Sequence, residues 1–216
     1  MKNSVKLAVI GLGNRGNVYG DYLLKFPEKG QVIYAYDPDA GRFEKFALKH
    51  GIDQTKGFAD ADKMLDEMKG VDAVIISNLD AQHFKYTLKA IEKGYHVLLE
   101  KPMSPRPFEC VAMGEFSKIY GKILMVAHVL RYTPFFSTLK ELLDGGAIGR
   151  LMSIQHNENV SYFHMAHSYV RGNFRNSDLE SPMILAKCCH DMDILLWLVG
   201  YDCKKVSSFG KLSYFR

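Results

Sequence analysis

The run Gly11-Leu12-Gly13-Asn14-Arg15-Gly16 sets glycine at its first, third and sixth places, directly after the apolar segment Val5 to Ile10 and at the opening of a helical pattern. Each glycine answers a different steric demand: a tight turn, close approach of backbone to a diphosphate, and close packing of helix on strand. The helix N-terminus then offers N–H groups to phosphate oxygens, with Asn14 and Arg15 in the same cradle. Asp37 stands 21 residues beyond Gly16, at the end of a second β-rich segment. There a carboxylate accepts hydrogen bonds from the ribose of a dinucleotide. The combination reads as a cofactor site for NAD in preference to NADP, although Arg42 is a cation of the kind a 2′-phosphate would need.

A second group of residues follows further strands. Asn78 and His83 stand after the apolar run Val71 to Ile76, and Glu100-Lys101-Pro102 ends the segment His96 to Leu99. All are expected at the carboxyl edge of one sheet, where such folds bind ligands, and are assigned to the cofactor with Gly11, Gly13, Asn14, Arg15, Gly16 and Asp37. Oxidation of an alcohol by a nicotinamide requires a group that takes the hydroxyl proton as the hydride leaves. Lys101 has the right chemistry, though a lysine before a turn proline is equally a surface residue. Arg131 and Tyr132 would either hydrogen-bond a polyhydroxylated ligand or brace a domain junction. His190 would be either a proton-handling residue or a hydrogen-bonded histidine at a helix start, with Asp191 and Asp193 complementing the helix dipole. Cys188-Cys189-His190 is not read as a metal site, because adjacent residues do not turn toward one ion and no second pair follows at zinc spacing.

The elements that must position these groups alternate. Val5 to Ile10, Gln31 to Tyr36, Val71 to Ser77, His96 to Leu99 and Ile123 to Ala127 read as strands. Gly16 to Phe26, Ala40 to His50, Ala61 to Lys69, Gln82 to Lys93 and Pro107 to Tyr120 read as helices. Strand and helix in alternation imply right-handed crossovers and a doubly wound parallel sheet, here over residues 1–128. Beyond it the pattern predicts an α+β domain over 129–216. It contains a helix from Pro134 to Leu143 capped by Thr133 and stopped by Gly145-Gly146, strands Leu151 to Glu158 and Val206 to Lys211, and a helix from Asp191 to Val199 closed by Gly200. Asn159 to Met183 shows weak periodicity and reads as a long functional loop carrying Tyr162, His164, His167, Tyr169, Arg171 and Arg175.

Bulk properties narrow the class. With 47% hydrophobic and 24% charged residues, the 216-residue chain has the composition of a folded globular protein. The net charge of +4 is scattered, which disfavours a nucleic-acid surface. No apolar run approaches the ~20 residues of a membrane helix. Four cysteines without Cys-x-x-Cys spacing, and a first strand where a signal peptide would lie, fit a reducing cytoplasm.

The glycine fingerprint, the Glu-Lys-Pro triplet and His190-Asp191-Met192-Asp193 before an apolar helix together resemble the Gfo/Idh/MocA family of NAD(P)-dependent oxidoreductases. The resemblance implies a Rossmann domain, a cis bond before Pro102, and Lys101 beside nicotinamide and substrate. The family's second signature is an aspartate four residues before a histidine. The histidine maps to His190, while the aspartate position holds Ala186, with Lys187 as a stand-in. His164 and Arg175 lie in the loop that resembles the family's substrate-facing segment, and Arg131, Tyr132 and Lys187 are assigned to the substrate beside them. Members of the family continue through a large antiparallel sheet that forms one wall of the substrate site and the usual homo-oligomer interface, so the chain reads as C-terminally shortened. The resemblance implies hydride transfer between NAD and a hydroxyl-bearing carbon of a sugar or polyol. A non-catalytic NAD-binding protein and an NAD-dependent glycosidase remain as alternatives.

Overall fold

The computed structural model describes residues 4–53, 57–211 and 214, and the chain forms two compact units, Met1–Ala127 and His128–Arg216. In the first unit, strands β1 (Val5–Ile10), β2 (Gly30–Tyr36), β3 (Ala73–Ile76), β4 (His96–Leu99) and β5 (Leu124–Val126) alternate with helices. These are α1 (Asn14–Lys25), α2 (Ala40–His50), α3 (Ala61–Glu67), α4 (His83–Glu92) and α5 (Pro107–Ile119). Every neighbouring pair of strands is parallel, in the order β2-β1-β3-β4-β5. The direction of winding reverses between β1 and β3, and in open α/β sheets the ligand crevice lies at that reversal, beyond the carboxyl ends of the strands.

Alternate residues along the strands supply two cores. Ala8, Ile10, Val74, Ile76, Val97 and Leu99 pack with Met64 and Leu65 of α3, Ala90 and Ile91 of α4, and Met113 of α5. The intervening Val9 and Ile75, with Leu7 and Leu98, pack with Tyr19 and Leu23 of α1 and Phe46 and Ala47 of α2. Covering both faces explains why β3 is apolar without interruption. Element ends differ slightly from the sequence expectation. Helix α1 begins at Asn14, so Asn14 and Arg15 occupy its first turn, and β3 pairs only over Ala73–Ile76.

The loops after β1 and β3 lie in direct backbone contact. Gly11 has φ of 90°, and a Cβ there would sit 2.5 Å from the Asn78 nitrogen and 2.6 Å from the Ser77 carbonyl carbon. A Cβ on Gly16 would sit 2.1 Å from the Gly11 oxygen. The Ser77 hydroxyl donates to that same oxygen at 2.8 Å, closing the junction.

The second unit contains α6 (Pro134–Asp144), a single turn α7 (Tyr162–His164) that runs into a π-helical stretch Met165–Val170, and α8 (Met183–Val199). Helix α6 begins as expected, with the Thr133 hydroxyl accepting from the Phe136 N–H at 3.4 Å and Pro134 in the first turn. Two expectations need correction. Helix α8 starts at Met183, eight residues before Asp191, because Met183 to Ala186 continue the helix outward from Pro182 and bury Ala186 in line with Ile194 and Leu198. His190, Asp191 and Asp193 are therefore mid-helix residues and not dipole caps. The segments 151–158 and 206–211 form no strand, since a strand is defined by a ladder and neither has a pairing partner among the described residues. Residues 212, 213, 215 and 216 lie outside the described residues. An apolar cleft of about 1000 Å³, lined by residues including Leu143, Leu151, Ile154, Leu195 and Leu198, opens within this unit.

The three glycines of the loop should separate by mutation. Gly16→Ala forces backbone apart and is expected to destabilise by about 2–3 kcal/mol. Gly13→Ala meets nothing within 4 Å and should leave stability within about 0.5 kcal/mol. Melting followed by circular dichroism checks both. Equal losses at the two positions would contradict the steric account.

Candidate functional site

The N-terminus of α1 differs from those of its neighbours. Asp39 and Asp60 cap α2 and α3 by accepting from the Arg42 and Lys63 N–H groups, whereas Gly13 gives α1 no side-chain cap and no acid occupies its first turn. First-turn N–H groups have no acceptor within the helix and carry the positive end of its dipole. Asn17 Nδ2 donates to the Leu12 and Gly13 oxygens at 2.8 and 2.9 Å, holding the loop open above that turn. The volume beyond the Gly13 Cα is empty to 4 Å, as an approaching diphosphate requires.

Asp37 is brought to the same loop. Its Oδ2 accepts from the Leu12 N–H at 2.7 Å and its Oδ1 from the Asp39 N–H at 2.9 Å. Each carboxylate oxygen retains a lone pair for a ribose hydroxyl. Arg42 stands with Nη1 4.0 Å from Asp37 and Nε 3.7 Å from Asp39, engaged by two acids. These residues fit a dinucleotide whose adenosine ribose carries free hydroxyls.

The Glu100-Lys101-Pro102 turn leaves β4 on the same edge of the sheet, and its Lys101–Pro102 bond is cis, as the resemblance implies. Glu100 is buried. Its Oε1 accepts from Arg15 Nε at 2.8 Å and from Tyr19 Oη at 2.6 Å, and its Oε2 accepts from the Lys101 N–H at 3.1 Å. Burial pushes the Glu100 carboxyl up, but the hydrogen bonds from Tyr19 and Arg15 and the guanidinium charge outweigh it and hold the group below its ordinary value. Burial, and then the Glu100 carboxylate, push the Tyr19 phenol up to about 12. Tyr19 was not apparent in the sequence; the only signal is its place one helical turn after Arg15.

His83 is fully buried at the start of α4, with Nδ1 2.9 Å from the Pro102 oxygen and Nε2 3.2 Å from the Asn78 oxygen. Burial holds the ring below its ordinary pKa and favours the neutral form, whose single N–H donates to one of the two carbonyls according to tautomer. It ties the loop after β3 to the proline turn. The Asn78 side chain itself donates to Gln82 Oε1 at 2.8 Å. Thus Gly11, Gly13, Asn14, Arg15, Gly16, Asp37, Asn78, His83, Glu100, Lys101 and Pro102 all lie at one edge of one sheet.

Within the second unit, the candidates fall into two groups. His164 Nε2 and Lys187 Nζ are 2.9 Å apart, and Tyr169 stacks on the His164 ring and lies 5.9 Å from Lys187 Nζ. His190 lies one helical turn after the buried Ala186 and meets the His128 ring edge-on at 5.9 Å. Arg131 donates to both oxygens of Asp193 at 2.7 and 2.6 Å and covers Trp197, which makes it a brace inside the unit. Tyr132 is largely exposed, and Arg175 Nη1 donates to the Gly172 oxygen at 3.2 Å.

The depressed Glu100 value fixes a pH dependence. Its contribution to stability is complete above the ordinary glutamate pKa of about 4.3 and is lost as pH falls through the lower folded value. The difference in Tm between the protein and Glu100→Gln is expected to be widest at about pH 6 and to narrow toward about pH 3. A gap independent of pH would contradict the charged assignment.

Comparison with known proteins identifies the family. Residues 5–128 match the model of an oxidoreductase family with an NAD-binding Rossmann fold. The chain is 29% identical over 220 residues to scyllo-inositol 2-dehydrogenase (NAD(+)) of Bacillus subtilis (strain 168), covering 98% of this chain and 59% of that one. Among solved structures, myo-inositol 2-dehydrogenase from Lactobacillus plantarum superposes with a TM-score of 0.78 at 20% identity, covering 92% of this chain and 57% of that one. Myo-inositol dehydrogenase from Lactobacillus casei, in complex with NAD(H) and myo-inositol, superposes with a TM-score of 0.71 at 23% identity, covering 91% and 55%. The chain thus spans just over half the length of these relatives. With its glycine loop, Asp37 and Glu-Lys-Pro turn on one sheet edge, the chain belongs to the Gfo/Idh/MocA oxidoreductase family and carries that family's NAD-binding Rossmann domain.

Proposed function

We propose that this chain is the cofactor-binding part of an NAD-dependent dehydrogenase acting on a secondary hydroxyl of a cyclic polyol or sugar, working in the cytoplasm as a homo-oligomer. The observation that carries the reading is the convergence of the uncapped α1 N-terminus, Asp37 and the Lys101 turn on the β1–β3 crevice. The relatives' names supply the substrate class.

In this reading Gly11 to Gly16 hold the diphosphate by backbone N–H groups, and Asp37 holds the adenosine ribose. Bound NAD supplies the hydride acceptor. Lys101 is assigned to take the hydroxyl proton as the carbon becomes a carbonyl, and in the reverse direction to return it. His190 is assigned a supporting proton-handling role through its sequence match. Tyr132, His164, Arg175 and Lys187 are assigned to the substrate, and Arg131 acts through Asp193 as a brace. Buried Ala186, where the family has a carboxylate, favours one second reading: a binder of NAD without turnover.

Two measurements test this. Asp37→Asn removes the charge that repels a 2′-phosphate, so the ratio of NADPH to NADH Kd should fall about tenfold in a fluorescence titration. A ratio that does not move, or tighter NADPH binding by the unsubstituted chain, defeats the ribose assignment. Lys101→Met should keep NADH affinity within about threefold while NADH formation from a panel of inositols and sugars drops by about 100-fold or more. NADH binding with no turnover of any panel member by the unsubstituted chain would establish the second reading instead.

A further inference from the structure

Three donors from two separate segments converge on the Glu100 carboxylate. Arg15 and Tyr19 reach it from α1, and the Lys101 N–H reaches it from the proline turn. Arg15 Nη2 also donates to Tyr19 Oη at 3.3 Å, and its guanidinium carbon lies 5.2 Å from the Tyr19 ring centroid, so the two α1 donors form one unit. Because every neighbour donates, the group between them must accept on both oxygens, and an ionised carboxylate is the side chain that does so. Glutamine would turn an NH₂ toward one of the donors, and aspartate falls a methylene short.

The position of Arg15 gives this network its consequence. It lies in the first turn of α1, so its backbone belongs to the proposed phosphate cradle, while its Nε donates to Glu100. Sequence reading assigned Arg15 to the cofactor; the geometry adds that its Nε also engages Glu100. We propose that Glu100 is a positioning residue that couples the two halves of the cofactor crevice: a diphosphate seated on the glycine loop steadies Arg15, and through Glu100 fixes the backbone of Lys101 before the nicotinamide arrives. This rests on the dinucleotide reading of the glycine loop and adds to it a mechanical link from that loop to the catalytic lysine.

ADP-ribose isolates the link, since it carries the diphosphate and adenosine ribose but no nicotinamide, and so contacts only the glycine-loop half. Amide hydrogen exchange of the full chain should show ADP-ribose slowing exchange in the glycine loop and, at a distance, slowing the Lys101 amide about fivefold or more. In Glu100→Gln the loop protection should persist and the Lys101 protection vanish. Arg15→Gln, at a half-exposed residue that leaves the fold intact, should behave the same way, and Arg15→Lys, which keeps a cation near the carboxylate, should retain most of the effect. Lys101 protection that survives both Glu100→Gln and Arg15→Gln overturns the coupling, as does its absence in the unsubstituted chain when the loop is protected. Absence of loop protection in the unsubstituted chain overturns the dinucleotide reading itself and the coupling with it.

Discussion

The first unit depends on a backbone contact: Gly11 lies against Ser77 and Asn78, and Gly16 lies against Gly11, at distances that leave no room for a Cβ. This contact joins the ends of β1 and β3 where the sheet reverses its winding. It seats α1 directly on the sheet, aims its first turn at the crevice, and brings Arg15 and Tyr19 within reach of a carboxylate on β4's outgoing turn. Were α1 displaced outward by the width of a methyl group, the crevice would widen and the network at Glu100 would open together.

Burial decides the character of that network. A carboxylate removed from water loses several kcal/mol of hydration unless donors replace it, and one left partly satisfied is worse than none. Glu100 meets the requirement with donors drawn from α1 and from its own chain neighbour, so the carboxylate stays charged within the edge of the sheet. His83 shows the converse arrangement, in which a buried ring lies between the Pro102 and Asn78 carbonyls and donates its single N–H to one of them without charge. Polar groups deep in the edge of the sheet thus hold the Lys101 turn from both sides.

Much of the Rossmann half was legible because each signal was local. Buried parallel strands are apolar on both faces, the glycines mark steric limits, and Asp37 follows its strand directly. Tyr19 was invisible because its partner lies 81 residues away, and the bridging role of His83 needs two loops to be seen at once. The second unit was less legible for a different reason. Segments 151–158 and 206–211 have strand-like composition, yet a ladder requires a partner that composition does not report. The start of α8 was missed because Met183 to Ala186 are apolar on every side, so periodicity gave no edge at which to begin the helix. The consequence reached the chemistry, since His190 changed from a residue at a helix end to one in a helix middle.

The cleft beneath the last turns of α8 bears on how the molecule behaves in solution. A hollow of about 1000 Å³ lined by Leu143, Leu151, Ile154, Leu195 and Leu198 together with Lys140, Asp144 and Arg150 offers apolar surface to detergents and environment-sensitive dyes while the chain is folded. A melting curve read from a dye that brightens in greasy surroundings is therefore expected to start from a raised native baseline.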